Sequence, residues 1–174
     1  WYDDMCKYYD YLNNHNIKLA CANIYYKGSG ARVFDPYYIK DIDVDGINVK
    51  IAVIGLENTD IPRWDSKHNY KSWIFHSVEN PNADISYEIK KAQKQIEDDG
   101  INPDFTIVSY HGGFFCDGVV GEDQGDYLAR LESQYNDPVE LYKNSEAQAY
   151  KAARKTTGID MFILGHDHKS IYSN

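Results

Sequence analysis

No apolar run in this sequence approaches the ~20 residues that span a bilayer; the longest, Ile51 to Leu56, has the length of a β-strand. Basic residues are outnumbered, with 18 Lys and Arg against 27 Asp and Glu and a formal net charge of -9. Long nucleic acid and anionic membrane call for a basic face, so this balance argues against both as partners. It leaves room for a small phosphate-bearing ligand, because bound cations invert the local sign of a site. Cysteine is scarce: Cys6, Cys21 and Cys116 are odd in number, scattered, and in no C-x-x-C spacing. They argue against a disulfide framework and read as buried or incidental thiols. Internal repeats and low-complexity segments are also missing. So are an initiator Met and a signal peptide: the chain opens Trp1-Tyr2-Asp3-Asp4 and reads as an excised piece, whose start says nothing of compartment.

What is present suffices for one domain, since 174 residues with 43% hydrophobic content can build a proper core. Met5, Tyr8, Tyr9 and Leu12 recur at helical spacing and predict a short helix over residues 3 to about 15. Ile17 to Ile24 has strand length, and Lys27-Gly28-Ser29-Gly30 follows as a loop. Tyr37 to Val44 and Ile47 to Leu56 are β-rich runs joined by Asp45-Gly46, which tolerates φ > 0; they predict a hairpin whose second arm is apolar enough for a central strand. Residues 57 to 82 are irregular and aromatic, an excursion that either borders a binding cleft or packs its tryptophans into a gap. The clearest helix is 84 to 99, with Ile85, Ile89, Ala92 and Ile96 on one face, Asp84 or Ser86 as cap and Gly100 as stop. Phe105 to Ser109 is a buried strand. Residues 114 to 136 form an insertion of undefined role. A helix then starts at Asp137-Pro138 or again near Ser145-x-x-Gln148, runs to Thr157 and closes on Gly158, before a last strand from Ile159 to Leu164.

The chemistry gathers at two strand ends. The strands 105–109 and 159–164 are separated by a helix-bearing crossover, which predicts a parallel pair. Their C-terminal ends then share the sheet edge where α/β proteins place their sites. His111 follows the first; His166 and His168, in Gly165-His166-Asp167-His168, follow the second. Three imidazoles at one edge point to a metal site, and imidazole suits Zn, Fe, Mn or Co alike. His15, His68 and His76 are grouped with no strand end and read as hydrogen-bonded surface residues.

Asn23, the Asp45-Gly46 hairpin into Ile51-Ala52-Val53-Ile54-Gly55-Leu56, Ser109-Tyr110-His111-Gly112 and Gly165-His166-Asp167-His168 occur in an order that resembles the calcineurin-like metallophosphoesterases. Within them the chain looks most like the branch of 5'-nucleotidases and 2',3'-cyclic-nucleotide 2'-phosphodiesterases. The resemblance implies an α/β class chain, part of a four-layer α/β/β/α sandwich with mixed sheets. It also implies two divalent metal ions that activate a bridging water and clamp phosphate oxygens, acting on a nucleotide or another small phosphoester. Carried over by motif, His111 and His166 would bind one ion and His168 the other; Asp167 receives no ligand role. For the compartment, the resemblance points to secretion or the cell wall.

That family also uses Asp-x-His, Gly-Asp and Asn-His motifs that all lie N-terminal to the segments matched here. The transition-state histidine, the bridging aspartate and the remaining ligands are expected upstream of Trp1. On this reading the 174 residues are the C-terminal portion of a single metallophosphoesterase domain, without the family's nucleotide-specificity domain, and inactive by themselves. Two other readings stand beside it. One is a non-catalytic relative that keeps the fold to bind a protein partner, which 14% aromatic content would fit. The other is an amidohydrolase, but there His-x-His lies on the first barrel strand, whereas here it ends the last one.

Overall fold

A computed structural model of the chain describes residues 7, 8, 10–12, 14, 15, 17–64, 72–113 and 148–166. In chain order its elements are β1 (Tyr25–Tyr26), β2 (Tyr37–Val44), β3 (Ile47–Leu56), α1 (Ile61–Trp64), β4 (Trp73–Ile74), α2 (Ile85–Asp98), β5 (Phe105–Tyr110), α3 (Ala149–Lys155) and β6 (Met161–Leu164). Residues 7, 8, 10–12 and 14 are helical, within the short helix the sequence predicts.

The main sheet has the order β2-β3-β5-β6 and is mixed: β2 pairs antiparallel with β3, while β3–β5 and β5–β6 are parallel. The β2–β3 hairpin turns at Asp45 (φ 53°) and Gly46 (φ 82°), two consecutive left-handed residues that match the right-handed twist of the arms. The Asp43 carboxylate accepts the Gly46 amide at 3.1 Å and closes the turn. Beyond the hairpin, each parallel step needs a crossover. α2 supplies the one between β3 and β5, and α3 lies in the one between β5 and β6.

Alternation in the strands decides which face those helices cover. Ala52, Ile54, Val108 and Tyr110 are buried against Ile85, Ile89, Ala92 and Ile96 of α2 and Ala149 and Ala152 of α3. A fully buried Ile is worth about 1.5–3 kcal/mol over an exposed one, so the α2 stripe is a principal source of stability. The helix ends as its sequence predicts. Gly100 (φ 70°) reverses the chain, its amide donates to Glu97, and the Ile101 amide donates to Ile96. Described residues thus form one helical layer on one mixed sheet, with β1 and β4 as a small antiparallel ribbon.

The first turn of α2 is tied to α3. Asp84 caps the helix through the Ser86 amide at 3.0 Å, and its other oxygen accepts Lys155 at 2.9 Å and the buried Lys151 at 3.2 Å. Gln148 takes the Ile85 amide on its side-chain oxygen at 2.9 Å. Burial alone would raise the Asp84 pKa, but the hydrogen bonds from Ser86, Lys155 and Lys151 outweigh it and bring it down to about 2. A carboxyl group depressed on folding stabilises above its unfolded pKa and loses that contribution as pH falls through the folded value. Asp84 should therefore contribute about 2 kcal/mol at neutral pH, falling to about half of that by pH 3. The advantage of the native chain over Asp84→Asn in urea unfolding should shrink accordingly between pH 5 and 3; a constant gap would contradict it.

Three expectations need correction. Ile17 to Ile24 is not a strand: it has one bridge, Ala20 to Asp35, and a turn at Ala22-Asn23. Its polar groups go elsewhere, with the Cys21 amide on the Asp35 carbonyl and the Ala22 amide on the Gly55 carbonyl. The last helix ends at Lys155 with Thr156 as cap, so Gly158 (φ 70°) turns the chain one residue later than a capping glycine would. The last strand starts at Met161, because Asp160 is spent on Thr106, whose amide its carboxylate accepts at 2.7 Å. The helix starts proposed at Asp137 and Ser145, and the insertion 114–136, lie outside the described residues.

Candidate metal centre

The three parallel strands end in register: Leu56 pairs with Tyr110, and Tyr110 with Leu164. The residues that follow each end therefore lie along one edge: Glu57 after β3, His111 after β5, Gly165 and His166 after β6. The parallel ladder runs on into these loops, with the His111 amide donating to Leu56 at 3.0 Å and the Gly165 amide to Tyr110 at 3.2 Å. The sheet itself thus sets the spacing of the site.

The structure brings His111 and His166 together, with ring centres 5.4 Å apart and planes at 75°. Imidazoles on one first-row metal ion have Zn–N distances near 2.1 Å, which puts the ring centres about 5 Å apart at tetrahedral angles. The observed separation is close to that spacing. His166 also has φ 76°, a left-handed conformation that costs a residue with a Cβ on the order of 1 kcal/mol and clusters at functional sites. Among the described residues no three His, Cys, Asp or Glu side chains are placed to hold a metal ion. His168 and Asp167, the rest of the expected motif, lie outside the described residues.

Glycines flank both histidines for different reasons. A side chain on Gly112 would overlap the ring of the buried Tyr110, so the loop after His111 folds too tightly for one. At Gly165 a Cβ would sit 3.8 Å from the His111 ring, an ordinary contact, so space alone does not demand glycine there.

The sequence reading missed Glu57. Its carboxylate accepts His111 Nδ1–H at 2.6 Å and the Asn58 amide at 2.9 Å. Its backbone is gripped at both ends by the buried side chain of Asn23, which accepts the Glu57 amide at 2.9 Å and donates to the Glu57 carbonyl at 2.7 Å. Asn23 donates also to the Phe75 carbonyl at 3.2 Å. The available signal was positional: Glu57 stands one residue past an apolar strand, just as His111 does.

The sheet face opposite α2 carries a cavity of about 400 Å³, lined by Val53, Gly55, Ser109, Trp73 and Phe75 and reaching Glu57 and His111. The excursion after β3 therefore both borders the cleft and fills space, Trp73 standing edge-on to Phe34 at 6.0 Å. Burial pushes the nearby Cys21 thiol up to about 12, which fits an inert buried thiol; Cys6 and Cys116 lie outside the described residues. His15 and His76 hydrogen-bond the Tyr11 and Ser77 carbonyls, at 2.8 and 2.9 Å; His68 lies outside the described residues.

No family model matches the chain. In sequence it is 33% identical over 106 residues to the 5'-nucleotidase of Vibrio cholerae, an alignment covering 61% of this chain and 17% of that protein. The chain thus spans under a fifth of the length of this curated relative. In structure it superposes on a Staphylococcus aureus protein described as a 5'-nucleotidase, with TM-score 0.60 and 26% identity over 95% of this chain and 26% of that one. It superposes also on the calcineurin-like phosphoesterase YfkN of Bacillus subtilis, with TM-score 0.62 and 22% identity over 91% of this chain and 40% of that one. The mixed sheet with histidines at its parallel strand ends is therefore the calcineurin-like phosphoesterase fold. Within that fold, the sequence similarity falls in the 5'-nucleotidase branch.

Proposed function

We propose that the protein containing these residues is a metal-dependent phosphoester hydrolase acting on nucleotides. His111 and His166 serve as ligands of one divalent ion and His168 as a ligand of a second. The observation that carries this reading is the in-register parallel ending of β5 and β6, which sets the two imidazoles 5.4 Å apart. The V. cholerae and S. aureus relatives, both called 5'-nucleotidases, support nucleotides as the substrate class.

A pair of divalent ions, of Zn, Mn, Fe or Co type, supplies an activated water and neutralises charge on the phosphate. The chain's own part is to present neutral imidazole nitrogens at fixed spacing. The peptide groups of β5 and β6 hold the loops, and Gly112 and the left-handed His166 let each loop turn at the strand end. With a formal net charge of -9 the chain as a whole does not attract anionic phosphate, so the cations supply that attraction.

The test is Mn²⁺- or Co²⁺-dependent hydrolysis of nucleoside 5'-monophosphates and 2',3'-cyclic nucleotides by the protein that contains this chain. His111→Ala and His166→Ala should each lower turnover by about 100-fold or more, as loss of a ligand to a catalytic ion does. Full activity in either variant would overturn the reading. The 174 residues alone should show little or no turnover, because three imidazoles do not hold two ions against hydration. Strong turnover by them would contradict that part.

A further inference from the structure

We propose that Glu57 is a positioning residue for His111: its carboxylate holds the imidazole with the proton on Nδ1, so that Nε2 carries the lone pair offered to a metal ion. This deepens the reading of His111 as a ligand and rests on it for the metal half of the argument. The orientation itself stands on geometry alone.

A carboxylate only accepts, so the 2.6 Å contact requires the proton on His111 Nδ1. In the neutral ring the lone pair is then on Nε2. Ligating histidines commonly hand their other N–H to a carboxylate in this way, which fixes tautomer and ring plane and raises the basicity of the ligating nitrogen.

An exposed Glu–His contact would ordinarily be worth little. This one differs because Glu57 is held at its backbone as well as at its carboxylate. Asn23, 1% exposed, binds both the amide and the carbonyl of Glu57. The Asn58 amide donates to the same oxygen that receives His111, and the fully buried Asn58 is itself fixed, its side-chain oxygen accepting the Asp60 amide at 2.9 Å. Finally, β3 and β5 end in register, so the backbones of Glu57 and His111 are placed by the sheet. The lost side-chain entropy that usually cancels a surface pair has thus been met before His111 arrives. Glu57 is 27% exposed and His111 52%, so the ring stays accessible on its far side.

The experiment uses the metal-free protein and long-range proton–nitrogen NMR correlations, which report the tautomer of each imidazole. His111 should be the Nδ1–H form in the native protein. Glu57→Ala should shift it toward the Nε2–H form, and Glu57→Gln, whose amide oxygen still accepts, should restore much of the Nδ1–H population. Titration with Mn²⁺ should show affinity lowered about 10- to 100-fold by Glu57→Ala and less by Glu57→Gln. A native His111 in the Nε2–H form, or a tautomer indifferent to Glu57→Ala, would overturn the proposal. The first of these readouts needs no variant, so it decides even if Glu57→Ala does not fold. Native Mn²⁺ affinity unchanged in His111→Ala would instead overturn the ligand reading, and the tautomer would then judge the positioning role by itself.

Discussion

Asn23→Ala should destabilise the chain by about 3 kcal/mol, well beyond the ~1 kcal/mol centre of single substitutions. The side chain is 1% exposed and serves four groups: the Glu57 amide and carbonyl, the Phe75 carbonyl and, at 3.4 Å, the Cys21 thiol. Alanine takes away every partner at once. Each buried peptide group left unpaired costs about 1–3 kcal/mol, and Glu57 recovers some of this because it can reach water. The effect extends to the site. Without Asn23, Glu57 is no longer fixed behind His111, so the His111 tautomer should lose its preference as well. Asn23→Asp separates shape from hydrogen bonding: it keeps the size and the acceptors but removes the donor and turns a carboxylate toward two carbonyls. It should be at least as destabilising as alanine. Urea unfolding monitored by tryptophan fluorescence measures both, and a loss under 1 kcal/mol in either would show that the junction is not what holds the segment.

How far the sequence could be read depends on where each segment's hydrogen bonds go. The β2–β3 hairpin and α2 were legible to the residue or nearly so, because Asp45-Gly46, Asp84 and Gly100 act on their immediate neighbours. Local chemistry and global fold agree there. Ile17 to Ile24 carried the same apolar signal as a strand, yet its partners are Asp35, Gly55 and Glu57, none predictable from its own residues. The site divides along the same line. That His111 and His166 share one edge was legible because the parallel pairing of β5 and β6 follows from the helix between them, and strand ends on one edge are a rule of such sheets. Glu57 has the same place one residue past an apolar strand, but a carboxylate there reads as a solvated turn residue until the in-register pairing of Leu56 with Tyr110 sets it beside His111.

Gly55→Ala should cost at least about 3 kcal/mol or prevent folding, although it adds a single methyl group. Gly55 lies inside β3, opposite Ser109 of β5, where a strand glycine marks the close approach of another backbone. That backbone is the 20–22 segment: the Ala22 amide donates to the Gly55 carbonyl at 2.8 Å, and a Cβ on Gly55 would overlap the Ala20 carbonyl group. The obstacle is main chain, not the end of a flexible side chain, so relief requires the whole segment to lift. Lifting it carries Asn23 away from Glu57, so Gly55→Ala should also reproduce the Asn23→Ala effect on the His111 tautomer in whatever fraction folds. Gly28 provides the control: it has no positive φ and nothing within 4 Å of an added Cβ, so Gly28→Ala should change stability by about 0.5 kcal/mol or less. Equal unfolding midpoints for the two variants would show that the crossing of residues 20–22 over β3 yields easily, and that Asn23 alone fixes the position of Glu57.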